Sequence, residues 1–558
     1  MTEIKYPHVQ KAKKYADDVV NGRIPSCKWI VLACKRFKTD LHRAKTKKFP
    51  YVLNNERAEA NCTFIELLPH VKGKWAGTLL VLEPWQCFLF VNLFGWEHKS
   101  TKLRRFRRAF VLVPRKNGKT TIAAPVGIDM MTLEAEPGAE IYCGATSEDQ
   151  ANEVFRPAKA MVNKAKGLKE AYNLEVAATS IFREDGLSFF HRLIGKPGEG
   201  QSPYCAISDE YHEHKTSEQI DAMWTGMGAR QQPLQFIITT AGTDISSPCK
   251  EMDDYCRKIL DGVLEDERWF IMIYALEDDA DWENFENWKK VNPNINVSVS
   301  EEFLHEKYQE SLQRVSTQNI NRCKHLNQWM NAGSAWMNMS LWNKCKDVSL
   351  SLNDFKGRDC FLGMDLASKI DIAALILLFP MEDDKWAVFG KYYLPEDTIN
   401  LPENAQYQTW EHEGWLTKTP GARTDFFYIE EDLKQYSSDF NIQELAFDPR
   451  ESTYLVNNIM EWGDFECVEI PQGPAHISEP MKELEAIIYD NKIRHNGDPV
   501  LSWMVSNTVR KEGRGGPVKY YYPTKDNNEN KIDGVVALIM AISRAMTYED
   551  MKIEVFRA

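Results

Sequence analysis

Residues 109–124, AFVLVPRKNGKTTIAA, run from five consecutive apolar residues through a polar turn into a second apolar stretch. A short apolar run closed by Pro and Gly reads as a buried strand, and Gly118-Lys119-Thr120 at the following helix start is the tail of the phosphate-loop pattern. Each residue type suits a triphosphate. Gly118 lets backbone N–H groups approach the phosphates, Lys119 offsets charge on the β and γ groups, and Thr120, with Thr121 beside it, offers a hydroxyl to Mg²⁺. The first glycine of the pattern is absent, since Val113 stands there. Taken alone, the tripeptide reads equally well as an exposed loop ahead of a helix.

Working outward, SPYCAISDEYHEH sets Asp209 and Glu210 directly after another apolar run. Asp209 is placed to hold Mg²⁺ through water and Glu210 to polarise an attacking water; the two motifs in this order predict an ATPase. Upstream, Gln86 of Trp85-Gln86 carries the paired donor and acceptor that read an adenine, or is a helix-face residue beside a core Trp. Thr239, Thr240, Ala241 and Gly242 end a further strand, where small polar residues can sense the γ-phosphate. Arg115 in the loop is a candidate to contact phosphate or to act on a neighbour's site, and Arg230 in MGARQQP is a candidate finger acting on a neighbouring subunit; a structural salt bridge is the alternative for both.

The runs RAFVLV, EIYCGA, YCAIS and QFIITTAG alternate with helical segments such as SEDQANEVFRPAKAMVNKAK, the pattern of a parallel α/β sheet. We expect residues 1–80 to be helical and basic, 81–246 to form the ATPase core, 247–354 a lid or linker subdomain, and 355–558 a second large domain. The polar stretch NQWMNAGSAWMNMSLWNKCKD, residues 327–347, reads as the connector. Beyond it DCFLGMDLA, DIAALILLFP and KWAVFGKYYL read as an antiparallel meander.

This second half carries acids at strand ends and at one helix start: Asp365, Asp371, Asp448 and Asp533. Each alone reads as a cap. Together they match an RNase H-like nuclease, in which acids from the first strand, the fourth strand and a late helix hold two divalent ions roughly 4 Å apart. Asp365, Asp448 and Asp533 are the expected ligands, with Asp371 auxiliary. Lys531 and the segment VRKEGRGGPVKYYYPTKDNN bring positive charge near that site, either tracking a DNA backbone or forming a solvated hairpin. His495 reads as structural or solvent-facing.

The formal net charge of −13 excludes a protein that coats nucleic acid over its whole surface but leaves room for a local groove. Two basic stretches, Lys35, Arg36, Lys38, Arg43, Lys45, Lys47 and Lys48, then Lys99, Lys102, Arg104, Arg105, Arg107 and Arg108, read as solvated faces or as phosphate contacts. No apolar run approaches the roughly 20 residues that span a bilayer, and the start lacks the apolar core of a signal peptide, so a cytoplasmic location is expected. The 12 Cys are scattered without zinc spacing and read as buried, reduced thiols.

The order Trp-Gln, PRKNGKTT, GATSEDQA, SDE, ITTAG, GMDLAS with an acid six residues on, FDP and KIDGVVAL resembles the large terminase subunit of tailed double-stranded DNA phages, from about Leu82 to Ala545. The resemblance implies an α/β chain: an additional-strand P-loop ATPase domain with a small lid, followed by an RNase H-like nuclease domain. It implies ATP-driven pumping of double-stranded DNA into a procapsid and metal-dependent cutting of concatemers. Lys119 and Thr120 take the nucleotide role, Asp209 the Mg²⁺ role, Glu210 that of catalytic base, and Thr240 with Gly242 the coupling role. Asp365, Asp448 and Asp533 hold the nuclease metals, Mg²⁺ or Mn²⁺. Implied partners are the portal protein, a small terminase subunit and further copies of the chain in a ring, commonly of five, in the host cytoplasm and with no membrane. A helicase, a non-catalytic packaging scaffold, and a transposase or junction resolvase are the competing readings; the first and last each use only one half of the motifs.

Overall fold

The computed structural model describes residues 5–557 apart from 185, 196–199, 246, 331–335, 368–370, 402–403, 451, 514–519 and 526–529. Part of the expected connector and the tip of the basic segment at 509–528 thus lie outside the described residues. The chain divides into two compact units, residues 1–313 with 320–330, and residues 314–319 with 331–558.

The first unit is built on eight strands: β1 (Arg108–Leu112), β2 (Glu140–Ala145), β3 (Leu174–Val176), β4 (Ser180–Arg183), β5 (Phe189–Ile194), β6 (Cys205–Asp209), β7 (Leu234–Thr239) and β8 (Trp269–Ile273). Their spatial order is β8-β1-β7-β6-β2-β5-β4-β3. Those from β8 to β5 run parallel, and β4 and β3 extend one edge antiparallel. The central strands are continuous apolar runs because both faces of a parallel sheet are covered; Ala109–Leu112 and all of β7 are buried. β7 is inserted between β1 and β6, as an additional-strand ATPase requires. Leu112 pairs with Thr239 and Asp209 with Ile238, so the three strands finish level and deliver their following loops to one place. Ligands of open α/β sheets bind there, beyond the carboxyl ends of the strands.

Two helices flank this point. Helix α1 (Pro84–Gly95) opens with a reciprocal capping box between Glu83 and Gln86 and is buried along its length. Helix α2 (Lys119–Met131) starts from Gly118, whose φ of 82° lies in the left-handed region that favours glycine.

The expectation for the second basic stretch is corrected at Arg104 and Arg105, which are neither solvated nor available to phosphate. Arg104 is buried against Glu134 at 3.3 Å. Arg105 donates to Asp40 at 2.7 Å, pairs with Glu267, and lies 4.7–5.3 Å from the ring centroids of Phe49, Tyr51, Trp96 and Phe106. A buried guanidinium needs such partners, because stranding it costs roughly 3–5 kcal/mol. Lys45, Lys47 and Lys48 are exposed.

The second unit holds β9 (Asp359–Asp365), β10 (Ala373–Met381), β11 (Lys385–Pro395), β12 (Leu416–Thr419), β13 (Asn441–Phe447), β14 (Glu466–Glu469) and β15 (Ile493–His495). The order is β12-β11-β10-β9-β13-β14, with β15 also paired to β11. β9, β10 and β11 form the antiparallel meander, and β13 joins β9 in parallel. Helix α3 (Asp533–Arg557) packs across β9, and Gly363 permits it: a Cβ there would lie 1.9 Å from the Ala537 carbonyl oxygen. β16 (Thr508–Glu512) and β17 (Tyr521–Lys525) make an antiparallel ribbon. His495 is buried and stacked on Trp342 at 4.3 Å, a structural residue. Eleven cysteines are buried and Cys467 is half-buried, all as free thiols.

Candidate active sites

In the first unit the loops after β1, β6 and β7 converge. Lys119, buried at the start of α2, donates from Nζ to Glu210 Oε1 at 2.7 Å. Glu210 has a left-handed backbone (φ 51°), and its N–H donates to Asp209 Oδ1 at 2.9 Å. A non-glycine residue in this conformation is strained by about 1 kcal/mol or more, and such strain gathers at functional sites. Burial pushes the Asp209 carboxyl up to about 6, against the pull of Lys119. Burial also opposes ionisation of Glu210, but Lys119, then His212 and Arg115, outweigh it and hold that carboxyl below its ordinary value. At working pH Glu210 is therefore an anion already compensated by a lysine.

Beside Gly118 lies a cavity of about 360 Å³, lined by Leu79, Val81, Gln86, Thr121, Asn294 and Val297 among others. Gln86 Oε1 accepts from the Glu83 N–H at 3.0 Å, so one lone pair of its amide is committed to capping α1. Thr120 is half-buried on the first turn of α2. Arg115 lies near Glu210, and its Nε is buried without a hydrogen-bond partner among the described residues.

Arg230 is placed elsewhere. It donates to the Ser202 carbonyl at 2.8 and 2.6 Å and to the Gly138 carbonyl at 2.8 Å, and reaches Glu136 at 3.2 Å. Those residues precede β6 and β2, at the end of the sheet opposite Gly118. Of the two readings open for Arg230, a finger or a structural salt bridge, these contacts are those of the structural one.

Sequence reasoning missed three asparagines that hold the loop. Asn117 donates to Asn292 Oδ1 at 2.8 Å, and the Asn294 N–H donates to Asn117 Oδ1 at 3.0 Å. Asn294 also accepts from Trp85 Nε1 at 2.7 Å, tying α1 to the same node. The repeated Asn of VNPN was the available signal.

In the second unit Met364 pairs with Phe447, so Asp365 and Asp448 leave adjacent parallel strands side by side. Asp533 arrives from the start of α3. Burial first, then Asp533, Asp448 and Asp371, push the Asp365 carboxyl well above its usual range. Burial, then Asp371, push Asp533 up to about 6, and its Oδ2 is buried with no hydrogen-bond partner among the described residues. Asp371 differs: it pairs with Lys531 at 2.6 Å and Lys525 at 3.3 Å, and these lysines overcome its burial and hold it low. Among the described residues no three acids, His or Cys close into a finished metal cage. The donor set nonetheless suits a hard divalent cation, being all carboxylate, mutually repelling and partly unpartnered.

Residues 84–258 match the family described as terminase large subunit, ATPase domain, and residues 263–549 match the terminase large subunit, endonuclease domain. The chain belongs to the terminase large subunits. It is 27% identical over 504 residues to the large terminase subunit of Enterobacteria phage HK97, covering 88% of this chain and 95% of that one. It is 38% identical over 389 residues to the protein YmfN of Escherichia coli strain K12, covering 67% of this chain and 85% of the relative. The crystal structure of the HK97 large terminase aligns over 88% of this chain and 99% of its own, at 25% identity and a TM-score of 0.42. As a terminase large subunit the chain is an ATPase and an endonuclease, acting in phage DNA packaging and the cutting of concatemers. It uses a nucleotide and a divalent metal, and works with the other components of the packaging machinery. Among the described residues no helix is long and apolar enough to cross a membrane.

Proposed function

We propose that the loop around Gly118 binds ATP with Mg²⁺ and that the acids of the second unit form a two-metal nuclease centre. The observation that carries the first assignment is the 2.7 Å contact between Lys119 and Glu210, residues far apart in the chain. A lysine paired with the base is the arrangement of a site whose anion is supplied by the triphosphate: Lys119 turns to the β and γ phosphates, and Glu210 is released to polarise water. Thr120 and Asp209 take the Mg²⁺, Gly118 and Thr121 line the phosphate path, and Arg115 adds charge at the γ end. Gln86, with its amide N–H₂ and one lone pair uncommitted, reads the base in the neighbouring cavity. Thr240 senses the γ-phosphate at the end of β7.

In the second unit Asp365, Asp448 and Asp533 hold the metal pair, and Asp371 assists once its lysines release it. Mg²⁺, or Mn²⁺ in its place, supplies activated water and neutralises charge on the leaving 3′ oxygen. The carboxylates repel one another, and a divalent ion bound among them would relieve that repulsion. Double-stranded DNA, the portal protein, a small terminase subunit and further copies of the chain in a ring, five in the family's common form, are the partners that follow, in the host cytoplasm. Residues 81–246 serve as the ATPase core, 247–354 as lid and linker, and 355–558 as nuclease.

A paired assay tests the reading. Lys119→Ala or Glu210→Gln abolishes ATP turnover and leaves Mn²⁺-dependent plasmid nicking; Asp365→Ala does the reverse. Full ATPase activity in Glu210→Gln removes the base assignment, and retained cleavage in Asp365→Ala removes that residue from the metal site.

A further inference from the structure

The reading of Glu210 as the base leaves its second oxygen unexplained. Oε1 is held by Lys119, while Oε2 lies 3.2 Å from Nδ1 of His212, a buried residue two positions along the chain. The same Nδ1 is 3.1 Å from Thr239 Oγ1 and 3.4 Å from Thr240 Oγ1. Thr239 Oγ1 donates to the Thr240 carbonyl at 3.0 Å, so toward Nδ1 it can only accept. A carboxylate oxygen likewise only accepts. With the Thr239 donation made, Nδ1 carries a hydrogen that is bonded to the end of β7. Glu210 Oε2 beside it is buried with no hydrogen-bond partner among the described residues and is thus an alternative acceptor not yet engaged. The other ring nitrogen, Nε2, lies 3.2 Å from Glu213 Oε1.

What lies beyond β7 gives this choice of acceptor a reach. The Ala241 N–H donates to Asn327 Oδ1 at 3.0 Å, and Cys323 Sγ lies 3.2 Å from the Ala241 carbonyl. The Met330 N–H donates to the Gly242 carbonyl at 3.4 Å. A Cβ at Gly242 would sit 3.1 Å from the Trp329 ring and 3.2 Å from His212 Cβ, so the two side chains close on this residue from different segments. Residues 323–330 are the stretch of the first unit that the chain traverses just before entering the second.

We propose that His212 is a positioning residue: its Nδ1–H orients the Glu210 carboxylate when Lys119 leaves for phosphate, and its transfer between Glu210 and Thr239 links the nucleotide state to residues 323–330. The proposal rests on the ATPase reading of Lys119 and Glu210.

The test uses the full chain, with steady-state ATP hydrolysis over a range of ATP concentrations. It adds hydrogen–deuterium exchange of residues 323–330 with and without a non-hydrolysable ATP analogue. His212→Ala lowers kcat roughly 10- to 100-fold, the scale of a misplaced catalytic group, with KM for ATP within about threefold. His212→Asn, whose side-chain N–H₂ falls near the Nδ1 position, recovers most of that loss. The analogue-induced change in exchange, present in the wild type, disappears in His212→Ala and returns in His212→Asn. An unchanged kcat, a folded His212→Asn no better than His212→Ala, or an exchange response that persists in His212→Ala overturns the proposal. Should His212→Ala not fold, His212→Asn decides alone, and a kcat below a tenth of wild type in the folded protein rejects it. Retained hydrolysis in Lys119→Ala marks the separate failure of the nucleotide-site reading.

Discussion

In the first unit Glu210 meets a lysine at 2.7 Å; in the second, Asp533 keeps a buried oxygen with no partner among the described residues. Both sites gather acids from strand ends, yet the charge is balanced from inside in one and left unbalanced in the other. The first holds its counter-charge in Lys119, which on the proposed reading an incoming triphosphate draws away from Glu210. Among the described residues the second has lysines paired only with Asp371; burial, Asp533, Asp448 and Asp371 hold Asp365 above its ordinary value, and burial and Asp371 hold Asp533 there. An anion-binding site and a cation-binding site thus differ in which partner is already present.

Removing a charge from each side tests that contrast. The strongest effect is expected from Asp533→Asn, which lowers Mn²⁺-dependent plasmid cleavage by roughly 10³-fold or more while ATP turnover stays within about twofold. Cleavage at the wild-type rate denies Asp533 a place among the ligands.

The same substitution has an opposite sign for stability without metal. Asp533 has a folded value of about 6, above its unfolded value, so ionisation destabilises the fold progressively as pH rises between roughly 4 and 6 and fully above that. Metal-free Asp533→Asn is therefore more stable than wild type at pH 8, and the difference shrinks toward pH 4. Thermal melts in EDTA at the two pH values read this directly; a destabilised variant at pH 8 contradicts it.

Proton and metal compete for the same oxygens. Mn²⁺ affinity measured by calorimetry should fall as pH drops through about 6 and below, because Asp533 and Asp365 both hold protons more tightly than ordinary carboxyls. A flat profile between pH 5 and 7 rules out such competition. The mildest change is Gly118→Ala, which places a side chain at φ 82° and 3.3 Å from Asn294 Nδ2. It should cost about 1 kcal/mol in the melt, with weaker ATP binding and unaltered cleavage.

The sequence made the architecture readable where periodicity and acid placement coincide: the apolar runs became β1, β2, β6 and β7, and β9 to β11 formed the meander. Asp365, Asp448 and Asp533 stood out because each ends a strand or opens a helix. What escaped was held by contacts between distant segments. Nothing local in LRRFRRAF shows that Asp40, Glu134 and Glu267 will meet its arginines, so a fully enclosed guanidinium reads like a solvated one. The Asn117, Asn292 and Asn294 node needs a turn from the lid segment. His212 gave only the hint of an imidazole beside an acidic pair, and its meaning depends on Thr239 in the neighbouring strand.

The enclosure of Arg105 bears on how much of the front of the molecule can be dispensed with. Its carboxylate partner Asp40 and two of its facing rings, Phe49 and Tyr51, come from the first eighty residues, whereas Arg105 itself leads into β1. A gene shortened to begin at the phosphate-binding machinery would leave that cation with Glu267 as its one carboxylate, in a pocket stripped of Asp40 and two of its four rings. The leading helices are thus a foundation of the motor, and natural or laboratory variants that shed them should be recovered as aggregates rather than as smaller working engines.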